Sequence, residues 1–408
     1  MAFDVVVVGA GPAGLCFARA LAGSGLQVAL VEQQAEEALA APPYDGREIA
    51  LNHASAATLR ELGLWDRIDA DDRPPLRDAH VLSGTSPFAL AFDHPGGDRE
   101  ELGYLVSNHL LRRLAYESVA SAPHVTLLCG RRVAGVQADD SVATVRLADG
   151  ERLDASLIVA ADNRFSETRR AMGIPASMHD FGRTMLVCRM AHETPHRGVA
   201  TEWFDYGQTV ALLPLREGYS SLVLTLPSRQ IEPLLTMAPD AFARTIEVRL
   251  RCRLGAMSLD SERCAYPLVG VYADRFAARR FALVGDAAVG MHPVTAHGFN
   301  FGLLGAQSLA QLLRDARARG TDIAAPALLQ RYERDHRVAT RGLYLATLAL
   351  VRLYTNDAPP ARLARAGLLR VANRIGPFKR MVVSALTDER APLPGPLAQL
   401  AAALPPPP

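Results

Sequence analysis

Val5-Val6-Val7-Val8-Gly9-Ala10-Gly11-Pro12-Ala13-Gly14 is the stretch whose reading decides the fold. Four successive valines predict a strand buried on both faces, as in a parallel sheet covered by helices. The glycines follow as GxGxxG: Gly9 for a tight turn, Gly11 for close backbone approach to a phosphate, Gly14 for close packing of helix on strand. Pro12 and Ala13 open the helix, whose N-terminus favours an anion. Eighteen positions beyond Gly14, Glu32 ends the next apolar strand, Val28-Ala29-Leu30-Val31, where a carboxylate can accept both ribose hydroxyl protons of an adenosine. Gln33 follows it at the same edge.

About 270 residues later the chain repeats the device, in Phe281-Ala282-Leu283-Val284-Gly285-Asp286-Ala287-Ala288. A second strand ending in Gly285-Asp286 offers a carboxylate to a second polyol. FAD has one in its ribityl chain, whereas NAD needs only the first half of this equipment. The downstream Gly298-Phe299-Asn300 reads as a helix N-terminus able to stabilise negative charge on a flavin's pyrimidine edge.

The chain has 408 residues, 49% hydrophobic and 21% charged, with a formal net charge of +1. That gives no global reason to expect nucleic-acid binding, and Lys379 is the only lysine. The five cysteines are scattered, with no CxxC or Cys/His cluster. Neither a disulfide framework nor a metal site is expected, and a reducing compartment fits best. Cys16, in the first helix, reads as a small buried hydrophobe. The chain enters its first strand directly, with no signal-peptide pattern and no apolar run long enough to span a membrane.

Along the chain, residues 1–75, 101–175 and 275–320 read as a discontinuous FAD-binding domain. Residues 76–100 and 176–274 read as a β-sheet substrate domain, and 321–408 as a C-terminal helical segment. Helices are expected over Ala13 to Leu26, Asn52 to Leu62, Val106 to Ala120 and Gly298 to Arg314. A loop is expected over Ala38 to Arg47, and Phe88 to Phe92 as a strand. Val125 to Cys129, Arg132 to Gln137 and Ala143 to Leu147 read as one meander of strands. Leu157 to Asp162 is an apolar strand ending in a carboxylate. A ligand is expected in the cleft between the lobes.

These residues resemble the FAD-dependent aromatic hydroxylases of the para-hydroxybenzoate hydroxylase fold, and within them the ubiquinone-biosynthesis hydroxylases. The resemblance runs from Val5 to about Leu313 and more loosely beyond. It rests on Gly9 to Gly14 with Glu32, on Ala161-Asp162-Asn163-Arg164-Phe165-Ser166-Glu167-Thr168-Arg169-Arg170, and on Tyr266-Pro267-Leu268, Gly285 to Ala288, Met291-His292-Pro293 and Gly298 to Asn300. It implies an α/β architecture: a Rossmann-like FAD-binding domain, an inserted β-sheet substrate domain and a C-terminal helical segment. It places Asp286 on the ribityl chain, Pro293 against the flavin and Gly298, Phe299 and Asn300 at the pyrimidine edge. Arg47, within Asp45 to Leu51, is implied as a FAD contact; Asn108 and Asp162 are further cofactor candidates.

Asn163 stands where the family usually has Gly, Val289 where it often has His, and Ala296-His297 where it has Gly-Gln. The string Val289 to Asn300 resembles the variant of one broad-range branch. His297 is therefore expected close to the isoalloxazine ring, either acting on a substrate hydroxyl or shaping the cleft. His292 is expected to orient the loop before Pro293. Trp203 and Tyr206 read chiefly as core.

The implied activity is monooxygenation through a flavin C4a-hydroperoxide, hydroxylating a polyprenylated phenol or quinol ring in ubiquinone biosynthesis (demethoxyubiquinol-type hydroxylation). The partners are that substrate, O2 and a ubiquinone-biosynthesis complex. NAD(P)H or another donor supplies electrons without a separate binding domain, since no second GxGxxG occurs. The alternatives are monooxygenation of another aromatic ring, a non-oxygenating isoprenoid reductase on the same frame, and a catalytically silent scaffold. A basic, apolar stretch from 337 to 380, including Arg362, Arg365 and Arg370, reads either as a peripheral membrane face or as a solvated helix face. The expected location is cytoplasmic, with peripheral contact to the inner membrane.

Overall fold

The structure is a computed structural model, and it describes residues 2–84, 89–92, 100–205 and 207–355. The valine run forms the strand Ala2–Val8, with Val5, Val6 and Val7 fully buried. It lies parallel to Val28–Val31 on one side and to Arg152–Ala160 on the other, with Val5 opposite both Val28 and Leu157. Phe281–Leu283 and Val125–Leu128 extend the parallel set outward. Burial of such a strand on both faces contributes about 1.5–3 kcal/mol per large apolar side chain. Two antiparallel strands, Val133–Ala138 and Ala143–Leu147, continue the sheet from Arg152–Ala160.

Val125–Leu128 thus departs from the expected meander: it pairs with Val28–Val31, from Val28 opposite Val125 onward. The preceding helix, Asn108–Ala120, makes a crossover, and a strand entered from a crossover helix lies parallel to its neighbour.

The second sheet is built around the long strand Ala176–His192, which pairs antiparallel with Tyr219–Pro227 and Cys264–Ala273. Gln208–Pro214 and Val199–Asp205 follow, and Asp78–Ser83 and Ala89–Phe92 close the far edge. Two helices interrupt this strand-rich region, Glu232–Thr236 and Pro239–Arg249. Phe242, Ala243, Ile246 and Leu250 recur at helical spacing and pack with Trp203, Leu222 and Leu224 into a second core. Trp203 is core rather than cleft wall, its indole N–H donating to the Gly84 carbonyl at 3.0 Å. Tyr206 and Phe88 lie outside the described residues.

A small third sheet of Glu48–Leu51, Gly103–Ser107 and Pro75–Leu76 stands between the two. Its strand Gly103–Ser107 takes Val106 and Ser107 out of the expected helix, so that Asn108 opens the first helical turn. A short helix, Glu36–Ala40, occupies the start of the expected loop. The chain visits the first sheet, the third, the second, the third again, the first, the second, the first and finally the second, so the cleft walls come from distant segments. Gly298–Ala318 and the 30-residue helix Pro326–Thr355 close the described chain. Among the described residues no helix is long and apolar enough to cross a membrane.

Candidate active site

A cleft of about 1070 Å3 opens where the C-terminal ends of the parallel strands face the second sheet. Ligands of open parallel sheets bind at such strand ends. At its inner end Gly9 turns the chain with φ 105°, and a Cβ there would stand 2.6 Å from the Ala161 carbonyl oxygen. A Cβ on Gly14 would stand 2.1 Å from the Gly9 oxygen, so Gly14 packs the helix on the strand and does not line the cleft. Gly11 has nothing within 4 Å of its Cβ position. Its small size leaves room for a ligand rather than for packing. The first turn of the helix Pro12–Ala20 directs N–H groups without intrahelical partners toward this space.

Glu32 lines the cleft, with Oε2 accepting from the Ala10 N–H at 2.8 Å and Oε1 from the Gln34 N–H at 2.9 Å. A carboxylate has about four acceptor positions, so two hydroxyls can still be bound. Gln33 lines the same edge, with Arg112, Arg131, Arg132 and Arg170, which the sequence reading did not single out.

Arg47 and Asn108 are brought together by Asp45, whose Oδ2 accepts from Arg47 Nη2 and from Asn108 Nδ2, each at 2.6 Å. The Tyr266 hydroxyl donates to the Asp45 carbonyl at 2.7 Å, and the Arg47 guanidinium lies over the Tyr266 ring. Burial pushes the Asp45 carboxyl up, but Arg47 and Asn108 together outweigh it and hold the carboxyl below its usual range. A flexible arginine is thereby fixed at the cleft wall.

Asp162 lines the cleft, and its buried Oδ1 has no hydrogen-bond partner. Its Oδ2 is held loosely by the Thr168 N–H at 3.4 Å. An orphaned buried carboxylate oxygen beside a glycine cradle is what a hydroxyl- and phosphate-bearing ligand would satisfy. Asp286 faces the same space and pairs with Arg164 at 2.9 Å. Gly285 makes the turn before it with φ 63°, its Cβ position 2.9 Å from the Ala13 Cβ. The buried Arg169 donates to the Ala287 carbonyl at 2.9 Å and to the Arg164 carbonyl at 3.2 Å, joining the 161–170 segment to the Gly285 turn. Arg164 and Asp45 were quoted within motifs, but only the contacts give them roles.

Pro293 begins a turn of 3-10 helix, Pro293–Thr295, and lines the cleft with Gly298 and Phe299. The His292 Nδ1 caps it, accepting from the Val294 N–H at 3.2 Å. Burial, aided by Arg164 and Arg183, pushes the His292 pKa down to about 4, so its ring is neutral at neutral pH and orients the loop. Asn300 lies behind the surface: its amide donates to the Ala50 and Ala296 carbonyls, and its Oδ1 accepts from the Asn52 N–H at 3.2 Å. It sets the start of the helix rather than lining the cleft.

His297 is buried beside the ring end of the cleft. It is 5% exposed and lines no part of the cleft. Ala296 before it adopts the left-handed conformation, φ 54° and ψ 25°, and the His297 Nδ1 turns back onto the Thr295 carbonyl beside Phe301. Ala296 and Gly298 on either side of it line the cleft, so this placement favours the expected alternative of a residue that shapes the cleft wall.

The family model described as FAD binding domain matches residues 2–344. The chain belongs to this FAD-binding family. The ubiquinone hydroxylase UbiM of Neisseria meningitidis serogroup C is 47% identical over 94% of this chain and 84% of the relative. The ubiquinone hydroxylase UbiL of Rhodospirillum rubrum is 37% identical, over 93% of this chain and 88% of the relative. Among solved structures, p-nitrophenol 4-monooxygenase PnpA from Pseudomonas putida shares the fold with a TM-score of 0.75 at 20% identity, covering 96% of this chain and all of that one. FAD is the cofactor of this FAD-binding family. The glycine cradle, the free Asp162 oxygen and the carboxylates of Glu32 and Asp286 suit its phosphates and polyols.

Outside the cleft, burial pushes the Cys16 and Cys188 thiols up to about 12, which leaves them as neutral core groups. Among the described residues no group of three or more His, Cys, Asp or Glu could hold a metal ion.

Proposed function

We propose that the chain is an FAD-dependent monooxygenase that hydroxylates the ring of a polyprenylated phenol or quinol in ubiquinone biosynthesis. One observation carries the reading: a single cleft joins the FAD cradle to the apolar face of the second sheet, where Met185, Val187, Ala211, Leu213 and Val223 lie together. A polar cofactor at one end and an apolar ring at the other is the arrangement such a reaction needs.

Bound FAD supplies the activation of O2, one oxygen going to the ring and one to water, with electrons from NAD(P)H or another donor. The residues of the chain supply placement and field. Glu32, Gln33 and the Pro12–Ala20 helix would hold the adenosine and pyrophosphate, and Asp286 with Asp162 the ribityl side. Pro293 and the N–H groups opening Gly298–Ala318 would stand at the ring, where the helix dipole favours negative charge. The apolar sheet face would exclude water.

Peripheral contact with the inner membrane and membership of a ubiquinone-biosynthesis complex are parts of the same reading, since a polyprenyl substrate resides in lipid. Arg337, one cation of the basic stretch, is committed within the fold, donating to the Ala273 and Asp274 carbonyls. Arg362, Arg365 and Arg370 lie outside the described residues. Charge reversal at these three should lower co-sedimentation with anionic liposomes.

The experiment that tests the function is mass spectrometry of isoprenoid quinones from cells with and without the gene, grown in air. An accumulated intermediate lacking one ring oxygen supports the reading and names the carbon. An unchanged profile in a strain without a redundant hydroxylase refutes it. Turnover that persists without oxygen would favour a reductase.

A further inference from the structure

Glu202 belongs to no motif, yet it stands in the apolar part of the cleft. On the strand Val199–Asp205 it lies opposite Ala211 on one side and Val81 on the other. Its neighbours along the cleft face are Val187, Ala211, Leu213 and Val223, with the hydroxyls of Thr209 and Thr225 at one side. Next to it Val81 and Phe204 are covered by Val294, Leu350, Leu353 and Tyr354.

The charged groups around it face elsewhere or stand across the cleft. Asp78 and His80 on the adjoining strand, and Asp205 on its own, occupy alternate positions that project from the other face. Gln208–Pro214 carries no ionisable side chain. Arg47, Arg164 and His292 line the cleft from other segments, and Tyr266 stands on the same sheet face, separated from the Glu202 strand by the strands of Met185, Thr225 and Thr209. Burial is the single cause acting on the Glu202 carboxyl, and it raises the pKa from 4.5 to about 8. A carboxyl with no partner among the described residues, set in an apolar wall, costs stability that a valine would not, so its place points to use in binding.

We propose that Glu202 is the catalytic base that grips the substrate's ring hydroxyl and takes its proton, so that the ring meets activated oxygen as an electron-rich oxyanion. The inference rests on the hydroxylase reading above. In this step the substrate O–H bond breaks, the proton bonds to a Glu202 carboxylate oxygen, and the electron pair stays on the ring oxygen. Nothing is oxidised or reduced at Glu202; O2 is the oxidant of the ring, and the nicotinamide or other donor is the reductant. The proton returns to the product hydroxyl before release. The substrate class follows: rings with a free hydroxyl, not their methyl ethers.

The test uses the FAD-loaded full chain, a hydroquinone bearing one isoprene unit, and a fluorinated phenol bearing the same unit. In the wild type, kcat/KM for hydroxylation should rise with pH through about 8, because the carboxylate is populated above that value. Glu202→Gln should lose this limb and about 100-fold in rate, the lower end for a general base, and divert oxygen to hydrogen peroxide. Glu202→Asp should recover part of the limb, and carries the test alone if the glutamine variant does not fold. Independently of turnover, the fluorine resonance of the bound phenol should move to its phenolate position in the wild type and not in Glu202→Gln. A wild-type pH profile in Glu202→Gln, or the same fluorine shift in both proteins, overturns the inference. If no hydroquinone is hydroxylated while the fluorine shift still depends on Glu202, the hydroxylase reading fails and the proton-accepting site stands.

Discussion

Arg164 and Asp286, separated by 122 positions in sequence, meet at 2.9 Å in the cleft wall. Arg164 also donates to the Val269 carbonyl at 2.9 Å, so it ties the Asp286 turn to the second sheet. The carboxylate proposed to hold the ribityl chain is thus aimed by a cation from another segment. The pair is partly exposed, its side chains 28% and 37% accessible, so its worth lies at the lower end for charged hydrogen bonds.

Arg164→Met should therefore weaken FAD binding by about tenfold, equal to about 1.4 kcal/mol. Flavin fluorescence titration measures it, and unchanged affinity would show that Asp286 needs no help from Arg164.

Gly11 and Gly14 should separate binding from stability. Gly14→Ala pushes a methyl group against the Gly9 oxygen and should cost about 1–3 kcal/mol of stability, with loss of FAD. Gly11→Ala meets nothing in the fold, so the melting temperature of the FAD-free protein should hold while FAD affinity falls. Equal melting losses for the two variants would contradict this division.

The Arg189–Glu48 pair holds the third sheet to the second, at 2.8 Å, with the Glu48 side chain only 2% exposed. Burial dominates and raises the Glu48 pKa, while Arg189 opposes the shift. Arg189→Met should destabilise the fold by about 3 kcal/mol, since an unpaired buried carboxylate remains. The sign with pH follows. In the variant the folded-state pKa rises further, so its stability is highest in mild acid, where Glu48 is protonated, and is lost as pH rises through that pKa. Denaturant melts at mildly acidic and at neutral pH check this; an equal loss at both would refute it.

Ala296 holds a left-handed backbone that L-residues adopt at a cost of about 1–2 kcal/mol. Ala296→Gly should stabilise the protein by about 0.5–1 kcal/mol after the extra unfolded-state freedom of glycine is counted. A lower melting temperature in the glycine variant would mean that its methyl group makes contacts outweighing the strain.

The sequence by itself determined the parallel strands, the phosphate turn and the carboxylates that end them. Val5 to Val8, Gly9 to Gly14 and Glu32 signal through local chemistry: apolar runs, backbone freedom and strand-end position. The Pro239–Arg249 helix and the parallel placement of Val125–Leu128 were missed, because helical spacing was short and pairing partners are distant. Only the tertiary structure decided which side chains reach the cleft. In a strand a shift of one residue turns a side chain to the opposite face, so nothing local shows that Glu202 looks into the cleft while Trp203 looks into the core. The same holds at the ring end: Ala296 turns the His297 ring back onto the Thr295 carbonyl, and Arg164 reaches Asp286 because the strands before them, Arg152–Ala160 and Phe281–Leu283, are neighbours in the first sheet.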